Sequence, residues 1–168
     1  MSKLIIMCGV PGSGKSTLAK RLINEDAGDV YVSRDEVRFS LVKENEEYFS
    51  KEKEVFRKFM QKINSAIEAD KTVWADATHL NKASRLKLLK WLREQPTWIE
   101  VMYVKVPLEI AIAQNNNRKG TRAYVPEEVI RNMYEKFEEP QYNEFIWDYD
   151  RIYIAEEGNI IEKENTNE

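Results

Sequence analysis

Cysteine and histidine are almost missing from this chain of 168 residues: Cys8 and His79 stand alone. A single cysteine closes no internal disulfide, and one histidine with one cysteine cannot build a His/Cys metal cluster. Cys8 lies in an apolar run and is expected to pack as a small apolar side chain. Long hydrophobic runs are missing too. No stretch approaches the roughly 18 apolar residues of a membrane span, and the N-terminus lacks a charged region followed by an apolar targeting stretch. The expectation is a cytoplasmic protein with no membrane partner. Repeats, low-complexity tracts and linkers are absent, and a chain of this length with 42% hydrophobic residues suits one core. Surplus positive charge is lacking as well: the net charge is −3, which argues weakly against a polyanionic partner. The charge is uneven, however. From Glu127 onward there are 13 acidic against 4 basic residues, leaving 16 against 22, or +6, in the part before it. The acidic part equally reads as a solvated surface. Residues 162–168 are wholly polar and expected to fray as a tail.

What is present begins at Gly9. Gly9-Val10-Pro11-Gly12-Ser13-Gly14-Lys15-Ser16 fits G-x-x-x-x-G-K-[ST], the phosphate-binding loop. Its glycines reach backbone angles closed to other residues, so consecutive N–H groups can turn inward onto a phosphate. Lys15 adds charge, Ser16 offers a hydroxyl to Mg²⁺, and a helix beginning here points its positive end at the anion. The expected nucleotide contacts are Gly9, Gly12, Ser13, Gly14, Lys15, Ser16 and Thr17, with ATP and Mg²⁺ as cofactors. The flanks agree. Leu4 to Cys8 reads as a strand buried on both faces, and Leu18, Ala19, Leu22 and Ile23 recur at helical spacing.

Further apolar runs over residues 29–33, 72–76, 98–106 and 151–154 read as strands, each separated from the last by helical periodicity. Alternating strand and helix predicts an α/β fold of three layers, a central parallel sheet with helices on both faces. Val55, Phe56, Phe59, Met60, Ile63, Ala66 and Ile67 form one apolar helical stripe. Asn81 is a helix cap, with Leu86, Leu89 and Leu92 expected inward, and Pro107 and Pro126 suit the first turns of helices over residues 108–117 and 127–138. Residues 1–161 are expected to form one domain.

In such a sheet ligands bind beyond the carboxyl ends of the strands, and three clusters fall there. Ser33-Arg34-Asp35-Glu36-Val37-Arg38 puts a carboxylate just after a strand and a guanidinium three residues on, on one face of a helical turn. Asp35 would take the proton of an attacking hydroxyl, and Arg38 would grip a phosphate or carboxylate of the acceptor bidentately. A helix cap with surface arginines would use the same residues. Asp76, after the third strand, is the candidate for the Mg²⁺ shell beside Ser16, or a turn-forming aspartate. His79 could contact substrate but reads rather as a hydrogen-bonded surface group, and Arg85 could reach the site from a basic helix whose other cations are expected to be solvated. Arg118-Lys119-Gly120-Thr121-Arg122 reads as a lid over about 118–126 that lays cations on the donor phosphates, or as a helix C-terminus favoured by its dipole.

Together GVPGSGKST, SRDEVR, DATHLNKASR and NRKGTRAYVPEEVIRNMY resemble the 5′-hydroxyl polynucleotide kinase family of the P-loop kinase superfamily, over about residues 3–154. The resemblance implies a three-layer P-loop kinase fold with a helical lid. It also implies Lys15 and Ser16 on the triphosphate and metal, Asp35 as general base toward a 5′-OH of DNA or RNA, Arg38 on the acceptor phosphate, Asp76 in the same pocket, and Arg118 or Arg122 as the clamp. The chain departs from phage members of the family in a stretch around Asp76 that is one residue longer, and in Lys119 where an arginine aligns. It ends where two-domain members continue into a 3′-phosphatase, so that activity is not expected. Two other readings remain. A small hydroxyl acceptor, as in zeta-toxin-like kinases, keeps the chemistry, and the net negative charge favours it mildly. A non-catalytic nucleotide switch or ATPase needs a water-positioning residue that is not visible.

Overall fold

The computed structural model describes residues 1–145 and 148–166. Strands β1 (Lys3–Cys8), β2 (Val30–Ser33), β3 (Thr72–Asp76), β4 (Trp98–Val104), β5 (Arg151–Glu156) and β6 (Asn159–Glu162) form one sheet in the order β2-β3-β1-β4-β5-β6. The first five are parallel, and β6 pairs antiparallel with β5. Helices α1 (Lys15–Leu22), α2 (Arg34–Leu41), α3 (Glu52–Glu68), α4 (Lys82–Lys90), α5 (Leu108–Asn116) and α6 (Glu127–Lys136) lie between the strands.

Side chains alternate across a strand, so β1 serves two layers. Leu4, Ile6 and Cys8 pack with Phe56, Phe59 and Ile63 of α3 and Leu88 and Leu89 of α4, whereas Ile5 and Met7 pack with Ala19 of α1. A third cluster joins Val10 to Ala111 and Ile112 of α5 and Ile130 of α6. The helical stripe read on α3 is buried as expected. On α4 the inward leucines are Leu88 and Leu89, with Leu86 only half-buried. The helix is rotated because Arg85 takes an inward place.

The C-terminal end differs from expectation. β6 was not expected: all its residues are exposed, so it carries no apolar alternation to read. Glu157 and Gly158, at φ 50° and 79°, close a two-residue hairpin turn that the pair of primed-turn angles permits. The expected fraying tail therefore starts inside a strand at Glu162, and Lys163 donates its amide to the Ile152 carbonyl at 2.7 Å.

Strand β1 sits between β3 and β4, where the chain reverses direction across the sheet. Register pairs Met7 with Asp76 and Ser33 with Asp76. The ends of β1, β2 and β3 thus lie side by side at the switch point where α/β sheets open a crevice.

Candidate functional site

The loop after β1 holds two glycines in the left-handed region, Gly12 at φ 84° and Gly14 at φ 88°. A Cβ on Gly12 would stand 2.2 Å from the Ala111 carbonyl oxygen, so only glycine lets this loop rest against α5. Gly14 caps α1 without a side-chain bond, and the first turn of α1 holds no acidic residue. Its N–H groups stay available to an anion. Lys15 and Ser16 line a cleft of about 260 Å³ with Ser33, Asp35, Arg38, Asp76 and Arg118. Gly9, Gly12, Ser13 and Gly14 shape the loop behind it, and Thr17 is exposed on α1.

Asp76 is 3% exposed. Its Oδ2 accepts from the Ser16 hydroxyl at 2.6 Å and from the Tyr31 hydroxyl, while its Oδ1 is buried with no partner among the described residues. Burial, and then the Asp76 charge, push the Tyr31 phenol well above its ordinary value, so Tyr31 stays a donor. A serine hydroxyl beside an orphaned carboxylate oxygen is the hard oxygen set that Mg²⁺ takes. Among the described residues no cluster of three or more His, Cys, Asp or Glu could hold a metal alone, so phosphate and water oxygens would complete the shell. Tyr31 carries no motif signal; only its register beside Trp74 on β3, two residues before Asp76, could have found it.

Asp35 opens α2 behind its cap Ser33, whose hydroxyl accepts from the Glu36 amide at 3.2 Å. Capping is therefore the task of Ser33. Asp35 is 49% exposed, and its Oδ1 accepts from Arg38 at 2.5 Å and from the Tyr48 hydroxyl at 3.0 Å. Arg38 is not a free phosphate grip. Its Nε and NH2 donate to the two oxygens of Glu52 at 2.7 and 3.1 Å, and the guanidinium lies 4.6 Å from the Tyr48 ring centroid. Burial works to raise the Glu52 pKa, but the Arg38 and Arg34 guanidiniums outweigh it and hold the carboxyl below its usual range. Burial, and then Asp35, push Tyr48 up to about 12. Sequence reading missed Tyr48 and Glu52. Glu52 opens the long helix α3, and its place across from Arg38 depends on how α2 and α3 pack.

The segment over 118–126 is pinned by Asn115, wholly buried, whose side chain donates to the Val125 carbonyl at 2.6 Å and accepts from the Val125 amide at 3.0 Å. Of its two arginines, Arg118 lines the cleft. Arg122 does not. Its terminal nitrogens donate to the carbonyls of Phe39, at 3.2 Å, and Val42, and it stacks 4.8 Å from the Phe39 ring centroid. The last carbonyls of α2 lack helical donors, and Arg122 supplies them.

Arg85 is absent from the cleft lining as well. It is fully buried, paired through Nε and NH2 with Glu144 at 3.0 and 2.7 Å, and donates to the carbonyls of His79 and Glu138. Its cation is consumed in joining α4 to the segment after α6, which leaves none for a substrate. His79, expected at the surface, is buried in the cleft wall at φ 45° and donates Nδ1–H to the Met7 carbonyl at 2.6 Å. Burial lowers its pKa to about 4, so the ring is neutral.

No helix among the described residues is long and apolar enough to cross a membrane. Residues 4–140 match the family described as AAA domain. An L-seryl-tRNA(Sec) kinase of Methanococcus maripaludis is 30% identical over 171 residues, covering 98% of this chain and 64% of the relative. The chain thus spans under two thirds of that curated relative. Among solved structures, a chain of the Pnkp1/Rnl/Hen1 RNA repair complex superposes at TM-score 0.65 with 24% identity, over 82% of this chain and 46% of that one. Kti12 of Chaetomium thermophilum in complex with ADP-AlF3 superposes at TM-score 0.62 with 22% identity, over 93% and 90%. At these identities the likeness is one of fold. A phosphate-binding loop at the head of β1, a mostly parallel sheet and a match over most of the length together place the chain in the AAA domain family, with the fold of the P-loop kinases.

Proposed function

We propose that the protein is an ATP-dependent phosphotransferase that moves the γ-phosphoryl group to a hydroxyl carried on nucleic acid, the 5′-OH of a DNA or RNA strand. The observation that carries this reading is the meeting of Lys15, Ser16, Asp76, Asp35 and Arg118 in one cleft at the sheet's switch point. Phosphoryl transfer passes through a loose transition state, so catalysis is mostly alignment and charge stabilisation. The loop amides and Lys15 would cradle the donor phosphates, and Arg118 would meet them from the segment over 118–126. Ser16 and Asp76 would hold Mg²⁺, which neutralises charge on those phosphates. Asp35 keeps its Oδ2 free of hydrogen bonds among the described residues; that oxygen would accept the proton of the acceptor hydroxyl as it attacks. Arg122 acts at one remove, by fixing the C-terminal turn of the helix that bears Asp35.

A second reading is favoured by the L-seryl-tRNA(Sec) kinase likeness and by the commitment of Arg38 to Glu52: the hydroxyl would belong to an aminoacyl group carried on RNA, with no phosphate beside it for Arg38 to grip. Labelled ATP offered with a 5′-OH oligonucleotide, a seryl-tRNA and a small sugar separates the readings. Label in the oligonucleotide supports the first reading, and label in the seryl-tRNA alone replaces it with the second. Label only in the sugar ends both. Asp35→Asn should lower turnover about 10²- to 10⁴-fold with ATP affinity little changed; full activity in that variant removes Asp35 as the base.

A further inference from the structure

We propose that the outer face of α4, from Lys87 at the cleft to Trp91 at the helix end, is a track for a single strand of nucleic acid leaving the acceptor site. Lys87 and Lys90 would meet its phosphates, and Trp91 would stack a base. The proposal rests on the nucleic-acid reading above and specifies where the rest of the acceptor lies.

Helix α4 contains no acidic residue. Arg85 turns into the core and Arg93 beyond the helix pairs with Glu68 at 2.8 Å, whereas Lys87 and Lys90 are exposed and in no ion pair among the described residues. Lys87 lines the cleft and lies 4.2 Å from the Phe56 ring centroid. Phe56 in turn meets Trp91 edge to face at 5.3 Å. Phe56, 6% exposed, lies beneath the two and holds the Lys87 and Trp91 side chains beside one another at the helix surface. Trp91 is 49% exposed, yet its backbone is anchored: its carbonyl accepts from the Asn64 side chain at 3.1 Å and its amide caps the helix. An exposed indole on a fixed backbone is a preformed stacking platform at little entropic cost. Cations at a helix C-terminus are favoured by the dipole alone, but the dipole gives no reason for an exposed tryptophan among them. Four residues of helix rise about 6 Å, the reach of one extended nucleotide, so a base beyond the nucleotide beside Lys87 would come to Trp91. A small acceptor would end inside the cleft and touch neither Lys90 nor Trp91.

The test compares a 5′-OH oligonucleotide of about ten nucleotides with a nucleoside 3′-monophosphate as acceptors, in the wild type, Lys90→Glu, Trp91→Ala and Trp91→Phe. Lys90→Glu and Trp91→Ala should each raise the KM of the oligonucleotide about tenfold, with kcat and the KM of the mononucleotide unchanged, and Trp91→Phe should keep most of the affinity. The salt slope of oligonucleotide binding should fall by about one on removal of the Lys90 charge. An unchanged oligonucleotide KM in Lys90→Glu, or equal rises for both acceptors, overturns the track. Fluorescence anisotropy with a 5′-phosphorylated oligonucleotide separates the track from the activity. Binding that weakens in Lys90→Glu upholds the track even if the wild type labels no nucleic acid, and labelling with variant-insensitive binding removes the track and leaves the kinase reading standing.

Discussion

Truncating Arg85 should unfold the protein more readily and should leave the site alone. The guanidinium and the Glu144 carboxylate have no exposure at all, and the pair shares two bonds at 2.7 and 3.0 Å. In Arg85→Ala the carboxylate keeps, among the described residues, only the Tyr149 hydroxyl at 2.8 Å and the Gln141 amide at 3.0 Å, and the carbonyls of His79 and Glu138 lose the Arg85 donor. Breaking a buried pair from one side costs about 3–5 kcal/mol. For a chain of this size each kcal/mol moves Tm by about 2–4 °C, so the expected fall is about 6–20 °C. Replacing both partners, Arg85→Met with Glu144→Leu, removes the stranded charge and should recover part of the loss. Scanning calorimetry of the wild type, the single variant and the double variant measures this, and ATP titration below the transition checks the site. A single variant with unchanged Tm refutes the reasoning, as does a double variant less stable than the single. A raised acceptor KM at unchanged Tm would return Arg85 to the substrate.

Two further outcomes follow from the cleft. If Lys15 serves the donor as proposed, Lys15→Ala should lower turnover roughly 100-fold or more while stability stays within about 0.5 kcal/mol, since the side chain lines the cleft and is in no ion pair among the described residues; a large fall in Tm would contradict this. His79, held neutral with its pKa lowered from 6.5 to about 4, should make stability pH-dependent. Above pH 6.5 it contributes nothing that varies; as pH falls from there toward 4 the unfolded chain takes up the proton first, and about 3 kcal/mol of stability is lost. Arg34 and Arg85 oppose its protonation and Asp76 favours it. His79→Asn, which tolerates the positive φ, should flatten that part of the Tm profile; an unchanged slope between pH 6.5 and 4.5 would show that the ring is not buried neutral.

Motif and periodicity made the frame legible because each depends on neighbours in sequence. The loop and its flanks, the strand ends at Ser33 and Asp76, the stripe of α3 and the cap at Asn81 are all local patterns, and they stand where they were read. What escaped is long-range. Arg38 and Glu52 lie on different helices, Arg122 reaches back to Phe39, and Arg85 finds Glu144 across 59 positions. Each of these arginines looked available to a ligand because a sequence shows charges and not their partners. His79 misled for the same reason: burial comes from Met7 and Phe59 on other elements.

Three carboxylates share the cleft, and their partners distinguish what each can do. A carboxylate offers about four acceptor positions. Glu52 gives both oxygens to Arg38 and one also to Arg34, which leaves it a brace between α2 and α3. Asp76 lies buried in the cleft lining, with one oxygen held by Ser16 and Tyr31 and the other without a partner among the described residues, and that suits a cation entering with the nucleotide. Asp35 is half open, with one oxygen steadied by Arg38 and Tyr48, and that suits a group arriving from solvent. A hydroxyl that must be aligned more than it must be deprotonated needs an acceptor fixed at one oxygen and free at the other. Of the three, Asp35 alone joins one held oxygen to one without a hydrogen bond among the described residues on a half-exposed side chain, since both oxygens of Glu52 are bonded and Asp76 is buried. Its bracing by Arg38, Tyr48 and, through Arg38, Glu52 therefore fixes the one such carboxylate in the cleft that Lys15 and Ser16 of the loop also line.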